Sequence, residues 1–110
     1  MKKKITQLKE ITEKNFPQLL QQHEWVVVEF YTDDCVVCKQ IEPMLLQLQK
    51  NYQRINKSIV FGKCNGQKEQ ALARHYMIMS VPTILIFQRN DGLPMHVKPE
   101  HLKERLEEIL

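Results

Sequence analysis

The sequence predicts an α/β domain with a central mixed β-sheet flanked by helices on both faces. Three observations predict it. Segments with strand-like and helix-like apolar patterns alternate along the chain. Trp25–Tyr31 is apolar at nearly every position, which marks a strand buried on both faces, as in the middle of a parallel or mixed sheet. Asn90-Asp-Gly92, just after a strand-like run, is a hairpin signal and adds an antiparallel pair. At 110 residues the chain is expected to be one domain, 1–110, long enough to bury a core.

The elements follow in order. Ile5–Leu8 alternates weakly and is expected to be a short first strand. In Asn15-Phe-Pro-Gln18, Asn15 is the expected N-cap of a helix reaching about His23. Pro17 suits its first turn and Gln18 the reciprocal capping position. After the strand Trp25–Tyr31, a long helix is expected from about Cys35 to about Asn51. Ile41, Met44, Leu45, Leu48 and Tyr52 recur at helical spacing and form its core face. Pro43 lies inside it, removes one backbone hydrogen bond and should kink it. Gln53–Ser58 is a polar connection, Ile59–Cys64 a strand, Gln67–Tyr76 a helix, Thr83–Gln88 a strand and Met95–Val97 a very short one. Pro99 suits the first position of a last helix whose core face is Leu102, Leu106, Ile109 and Leu110.

Composition narrows the function classes. Sixteen basic and 13 acidic residues leave a net charge of +3, and three of the basic ones are Lys2, Lys3 and Lys4. A basic stripe with interleaved aromatics is absent, so no nucleic-acid partner is expected. The opening lysines are followed by a polar stretch rather than the apolar run of a signal peptide, and no window is long and apolar enough to span a membrane. The expected location is cytoplasmic. Three cysteines in such a chain argue against a structural disulfide framework and for redox or metal use of the close pair.

That pair is Cys35 and Cys38, a Cys-x-x-Cys where a buried strand hands over to a helix. Cys35 would sit at the first turn of that helix, where unpaired backbone N–H groups and the helix dipole favour a thiolate. Cys38, three residues on, lies on the same face and is placed to close a disulfide. Read from the residues alone, the pair is a redox dithiol, two ordinary reduced thiols or half a metal site. His75, His96 and His101 show no ligand spacing with any cysteine, so no metal is expected. Cys64, within a strand, reads as a small buried core residue.

Other residues surround this motif at ordered spacings. Glu29 lies six residues before Cys35 and Pro43 five residues after Cys38. Lys63 is on the next strand, and Ser80-Val-Pro-Thr83 leads into an apolar strand. With these features the chain resembles the thioredoxin family over nearly its whole length. The resemblance implies a thioredoxin-like fold with a cis-proline, Pro82, before the fourth strand. It implies a thiol–disulfide oxidoreductase of cell redox homeostasis, a monomer needing no cofactor. Its expected partners are disulfide-containing proteins and an electron donor, either a thioredoxin-reductase-like enzyme or a low-molecular-weight thiol. Cys35 becomes the nucleophile, assisted by Lys39 and opposed by Asp33 and Asp34, each worth roughly 0.7 kcal/mol at about 6 Å in high dielectric. Cys38 becomes the resolving thiol. Glu29, desolvated within its apolar strand, is its proton acceptor, and Lys63 modulates Glu29. Val81 is expected to pair its backbone with the substrate beside Pro82. Asp34 and Met79 are the remaining expected substrate contacts, Met79 within an apolar docking edge, Met77–Met79.

The immediate neighbours of the cysteines depart from the family. Thioredoxins carry Trp-Cys-Gly-Pro-Cys; this chain carries Asp34-Cys-Val-Val-Cys38. The tryptophan's apolar contact is lost, and the residues between the cysteines tune the redox potential across the superfamily. The stretch between Gly92 and Leu102 is shorter than usual and lacks the family's glycine after the last strand. These departures leave a second reading, a thioredoxin-fold binding module or chaperone-like adaptor with little redox turnover. With the usual intervening proline gone, the Cys35–Cys38 couple is expected to be less reducing than thioredoxin's. Equilibration with glutathione measures this, and a potential at or below about −270 mV would contradict it.

Overall fold

A computed structural model of the chain describes residues 7–110. Its sheet has five strands: β1 (Lys9–Glu10), β2 (Trp25–Tyr31), β3 (Ile59–Asn65), β4 (Thr83–Gln88) and β5 (Met95–Val97), in the order β1-β3-β2-β4-β5. β1 and β2 each run parallel to β3, while β4 is antiparallel to both β2 and β5. The sheet is therefore mixed, with β2 at its centre, as its unbroken apolar sequence predicts. Its helices are α1 (Phe16–Gln22), α2 (Val36–Arg54), α3 (Gln70–His75) and α4 (Leu102–Ile109).

Alternate side chains of each strand enter opposite layers. On one face, Val27, Ile59, Phe61, Ile84, Ile86 and Val97 pack with Leu45 and Leu48 of α2 and Leu102 and Leu106 of α4. On the other, Val26, Val28, Phe30, Val60, Leu85 and Phe87 pack with Phe16 and Leu19 of α1, with Leu72 and Tyr76 at the margin. Val26, Val28 and Phe30 alternate with Val27 and Glu29, and all five are buried. Gln49 is the buried polar residue of α2. Its Oε1 accepts the Phe61 N–H at 2.7 Å, tying the helix to β3.

Several boundaries differ from the sequence expectation. Of the expected first strand Ile5–Leu8, residues 5 and 6 lie outside the described residues. Gln7 and Leu8 are not in a strand, and β1 begins at Lys9. Leu8 instead turns into the α2/α4 core. Asn15 makes no side-chain cap on α1. Its Oδ1 accepts the Thr12 N–H at 2.9 Å while Thr12 Oγ1 accepts the Asn15 N–H at 3.2 Å. The reciprocal cap therefore begins at Thr12, one turn early, and Gln18 has no part in it. The segment after β3 is late for a similar reason. Asn65 Oδ1 accepts the N–H groups of Gln67 and Lys68, making a side-chain-held turn before α3 starts at Gln70. α2 runs on to Arg54, through Pro43. Pro99 opens a 3₁₀ turn, Pro99–His101, rather than α4 itself.

β1 lies parallel beside β3 and pairs Lys9 with Gly62. A Cβ on Gly62 would lie 2.7 Å from Ile11 Cγ1 and 2.8 Å from the Lys9 carbonyl oxygen. The backbone oxygen cannot yield without breaking the β1–β3 pairing. Gly62→Ala is thus expected to destabilise by roughly 1–3 kcal/mol, the usual cost of overpacking, read as a lower denaturant midpoint at unchanged m-value.

Candidate active site

The end of β2 and the start of α2 form one short loop. Tyr31 is anchored at both ends: its hydroxyl donates to Glu10 Oε2 at 2.8 Å and its carbonyl accepts the Gly66 N–H at 2.9 Å. Asn65 Nδ2 donates to Asp33 Oδ1 at 3.1 Å, so the same buried asparagine that shapes the turn before α3 also holds this loop. Thr32 Oγ1 donates to Asp34 Oδ1 at 2.7 Å, and the Cys35 N–H donates to the Thr32 carbonyl at 3.2 Å. The loop therefore arrives at the helix already folded.

Cys35 is the N-cap of α2, with extended backbone, and its Sγ accepts the Cys38 N–H at 3.1 Å. An N-cap side chain satisfies one of the first unpaired N–H groups of a helix. Here a sulfur does so, and the contact favours negative charge on it. Cys35 and Cys38 are joined as a disulfide, with Cα atoms 5.3 Å apart. The two sulfurs are unequal in access: Cys35 is half-buried and Cys38 fully buried. Val36, 65 % exposed, and Val37 stand outward between them.

Glu29 lies on the α2 side of β2, two residues from Val27, and is 0 % exposed. Neither of its carboxylate oxygens has a hydrogen-bond partner. Burial, and next the negative charge of Glu42, push its pKa up to about 8, with Lys63 pulling the other way. The β2–β3 register sets Glu29 opposite Lys63. Lys63 nevertheless pairs with Glu42, its Nζ donating to Glu42 Oε1 at 2.8 Å. Glu42, Lys63, Tyr31, Asp33, Lys39 and Pro43 share the wall of a surface cavity of about 600 Å3.

The thioredoxin family model matches residues 7–110. The chain belongs to the thioredoxin family. It is 34% identical to the thioredoxin of Buchnera aphidicola subsp. Acyrthosiphon pisum over 103 residues, covering 90% of this chain and 93% of that protein. It is 38% identical to Neurospora crassa thioredoxin over 73 residues, 66% of this chain but only 57% of that protein. Among solved structures, Chlamydomonas reinhardtii thioredoxin f2 superposes with a TM-score of 0.76 at 28% identity, covering 93% of this chain and 95% of that one. A thioredoxin f2 solved in complex with ferredoxin:thioredoxin reductase gives 0.78, also at 28% identity, with 94% of each chain covered. In a thioredoxin-family chain, a Cys-x-x-Cys disulfide at a helix N-terminus is a thiol–disulfide oxidoreductase centre.

The other expected site residues fall as follows. The Val81–Pro82 peptide bond is cis. Thr83 Oγ1 donates to the Ser80 carbonyl at 2.6 Å across this turn. Val81 packs at the margin of the α1/α3 core, and no backbone–backbone hydrogen bond among the described residues uses its N–H or carbonyl. Met79 is 91 % exposed and Met77 nearly as open. Asp34 is exposed. Cys64 is buried in the α1/α3 core, where desolvation pushes its thiol up to about 12 and leaves it inert. Among the described residues, no group of three or more His, Cys, Asp or Glu is placed to hold a metal ion, and no helix is long and apolar enough to cross a membrane. Sequence reasoning missed Glu42 and Asn65. Glu42 falls one helical turn after Cys38, a spacing that would have put it on the same face. For Asn65, at the end of β3, no sequence signal joins it to Asp33.

Glu29 links stability to pH. Its raised pKa means the folded chain holds a proton that the unfolded chain releases near 4.5, its ordinary value. Stability therefore falls as pH rises from about 4.5 to about 8 and levels off above. Glu29→Gln removes the ionisation, so the variant should gain on wild type across that window, by roughly 5 kcal/mol in all. Urea unfolding of both proteins from pH 5 to pH 9 measures the difference; a gap independent of pH would show Glu29 to be ionised throughout.

Proposed function

We propose that this chain reduces or exchanges protein disulfides as a single-domain, monomeric, cytoplasmic thiol–disulfide oxidoreductase. The observation that carries the reading is the unequal pair: one accessible sulfur at the helix N-cap, one buried sulfur a single turn inside, and a buried carboxyl with no partner on the adjoining strand.

In the reduced protein, the Cys35 thiolate attacks one sulfur of a substrate disulfide and the other substrate sulfur leaves as a thiolate. Cys38 then passes its proton to Glu29 and attacks Cys35 Sγ, expelling the second substrate sulfur. Two electrons have moved from the dithiol to the substrate, leaving the Cys35–Cys38 disulfide for a donor to reduce. Glu29 takes this proton in its ionised form, and it is suited to the step because burial pushes its carboxyl up to about 8, close to the ordinary range of a thiol, so transfer from Cys38 is nearly balanced. Lys63 modulates it as the cation on the neighbouring strand. The free backbone groups of Val81, beside Pro82, suit pairing with an extended substrate segment. Met79 offers an apolar contact and Asp34 a charged one where the family has tryptophan. The donor is either a thioredoxin-reductase-like enzyme, as the reductase complex of the thioredoxin f2 neighbour supports, or a low-molecular-weight thiol.

The exposed Val36, Val37, Met77 and Met79 favour a second reading, a binding module that grips apolar segments with little turnover. Capture by Cys38→Ser separates the two. The oxidoreductase is expected to accumulate covalent mixed disulfides on Cys35, and the wild type to accelerate insulin reduction by dithiothreitol. No covalent capture together with no acceleration would leave only the binding module.

A further inference from the structure

The Lys63 ammonium lies among three carboxyls from different elements, one of them Glu10, its neighbour in register on β1. Glu29 is its cross-strand neighbour in register on β2, and Glu42 projects from α2. It pairs with Glu42 at 2.8 Å, and its Nζ also sits 5.0 Å from the centre of the Tyr31 ring. Tyr31 is itself tied through its hydroxyl to Glu10. Lys63 is thus held on the cavity side by a carboxylate and an aromatic face, while both oxygens of Glu29 remain without a partner. This runs against the simplest electrostatic expectation. A fully buried carboxylate gains more from a cation than one that is 21% exposed.

We propose that Glu42 is a positioning residue that holds Lys63 away from Glu29, and so keeps the buried carboxyl unpaired and able to carry a proton. The inference rests on the reading of Glu29 as the proton acceptor for Cys38. The charged and titratable groups around Glu29 fit it. From α2 come Glu42 and, in the reduced protein, the Cys38 thiol; from β3 comes Lys63; from β2 comes Tyr31. β4, the other neighbour, is Thr83-Ile-Leu-Ile-Phe-Gln88 and brings no charge, and α4 brings Leu102 and Leu106 to this layer. β1 brings Glu10, in register with Lys63 on the side of β3 away from Glu29, but its Oε2 accepts the Tyr31 hydroxyl, and Glu42 is the anion that makes the ion pair with Lys63 in competition with Glu29. Without Glu42, Lys63 would be free to turn to the carboxylate beside it, which would then ionise at lower pH and bind its proton too weakly to serve at neutrality.

The test is a titration of the Glu29 carboxyl by carbon NMR in the full chain. The proteins are wild type, Glu42→Gln, Glu42→Ala, Lys63→Gln and the double variant E42A/K63Q. Glu42→Ala accompanies Glu42→Gln because an amide retains an oxygen that can accept from Lys63. The Glu29 midpoint is expected to fall by a unit or more in Glu42→Ala, and in the same direction in Glu42→Gln. Lys63→Gln should move it upward further in the Glu42→Ala background than in wild type, because there Lys63 is free to pair with Glu29 directly. A midpoint unmoved by Glu42→Ala, or a Lys63→Gln shift of equal size in both backgrounds, would overturn the proposal. The pH dependence of substrate release from the Cys35 mixed disulfide is followed in the same variants. A release profile that tracks the carboxyl midpoint supports both readings. A midpoint that shifts under an unchanged release profile leaves Glu42 positioning Lys63 and removes Glu29 as the acceptor.

Discussion

β2 is hydrogen-bonded on both edges and covered on both faces, and the site is arranged around the consequences. Between its half-buried ends, Trp25 and Tyr31, nothing on this strand reaches water, so each of the five side chains there must either be apolar or be neutralised by its surroundings. Val26, Val27, Val28 and Phe30 are apolar. Glu29 is neither apolar nor paired, and its ionised form is what the fold tolerates least. The same strand fixes its neighbours. Parallel pairing with β3 brings Lys63 alongside, and the loop leaving its end delivers Cys35 to the start of α2. One central strand thus sets the depth of the acid, the place of the cation and the position of the accessible cysteine.

The two sulfurs inherit their difference from the helix rather than from their own chemistry. Cys35 caps α2 and remains accessible; Cys38 lies one turn inside, against the sheet. In the exchange we propose, attack from outside falls on Cys35 and resolution comes from within. The loop leading to them is held by Asn65, which bonds Asp33 on one side and two N–H groups of the following turn on the other. Asp33 and Asp34 each have a hydrogen-bond donor, so these acids shape the loop as well as charging it. The exposed valines between the cysteines place an apolar, β-branched surface beside the disulfide.

Local patterns carried a large part of this in the sequence. β2, β4 and β5 have the limits that alternation and turn residues predicted, and the long amphipathic helix and the core face of the last helix are where their spacing put them. The errors lie where capping depends on side-chain partners. Thr12 took the role assigned to Asn15, and Asn65 delayed α3, because a side-chain oxygen satisfies whichever N–H groups the chain path presents. β1 was misplaced because two residues cannot display a period; its position follows from pairing with Gly62 and Lys63, far along the chain.

The sequence by itself determined the family, the mixed sheet and the redox pair, since these rest on short-range order: an apolar run, a Cys-x-x-Cys and residues at fixed spacings around it. It also marked Glu29 as a carboxyl in an apolar strand, because burial of that strand is legible from its composition. Which cation answers which carboxyl was decided only by the tertiary structure. Register across β2 and β3 offers Lys63 to Glu29, while the packing of α2 offers it Glu42, and a salt bridge is settled by distances between elements that no local pattern contains.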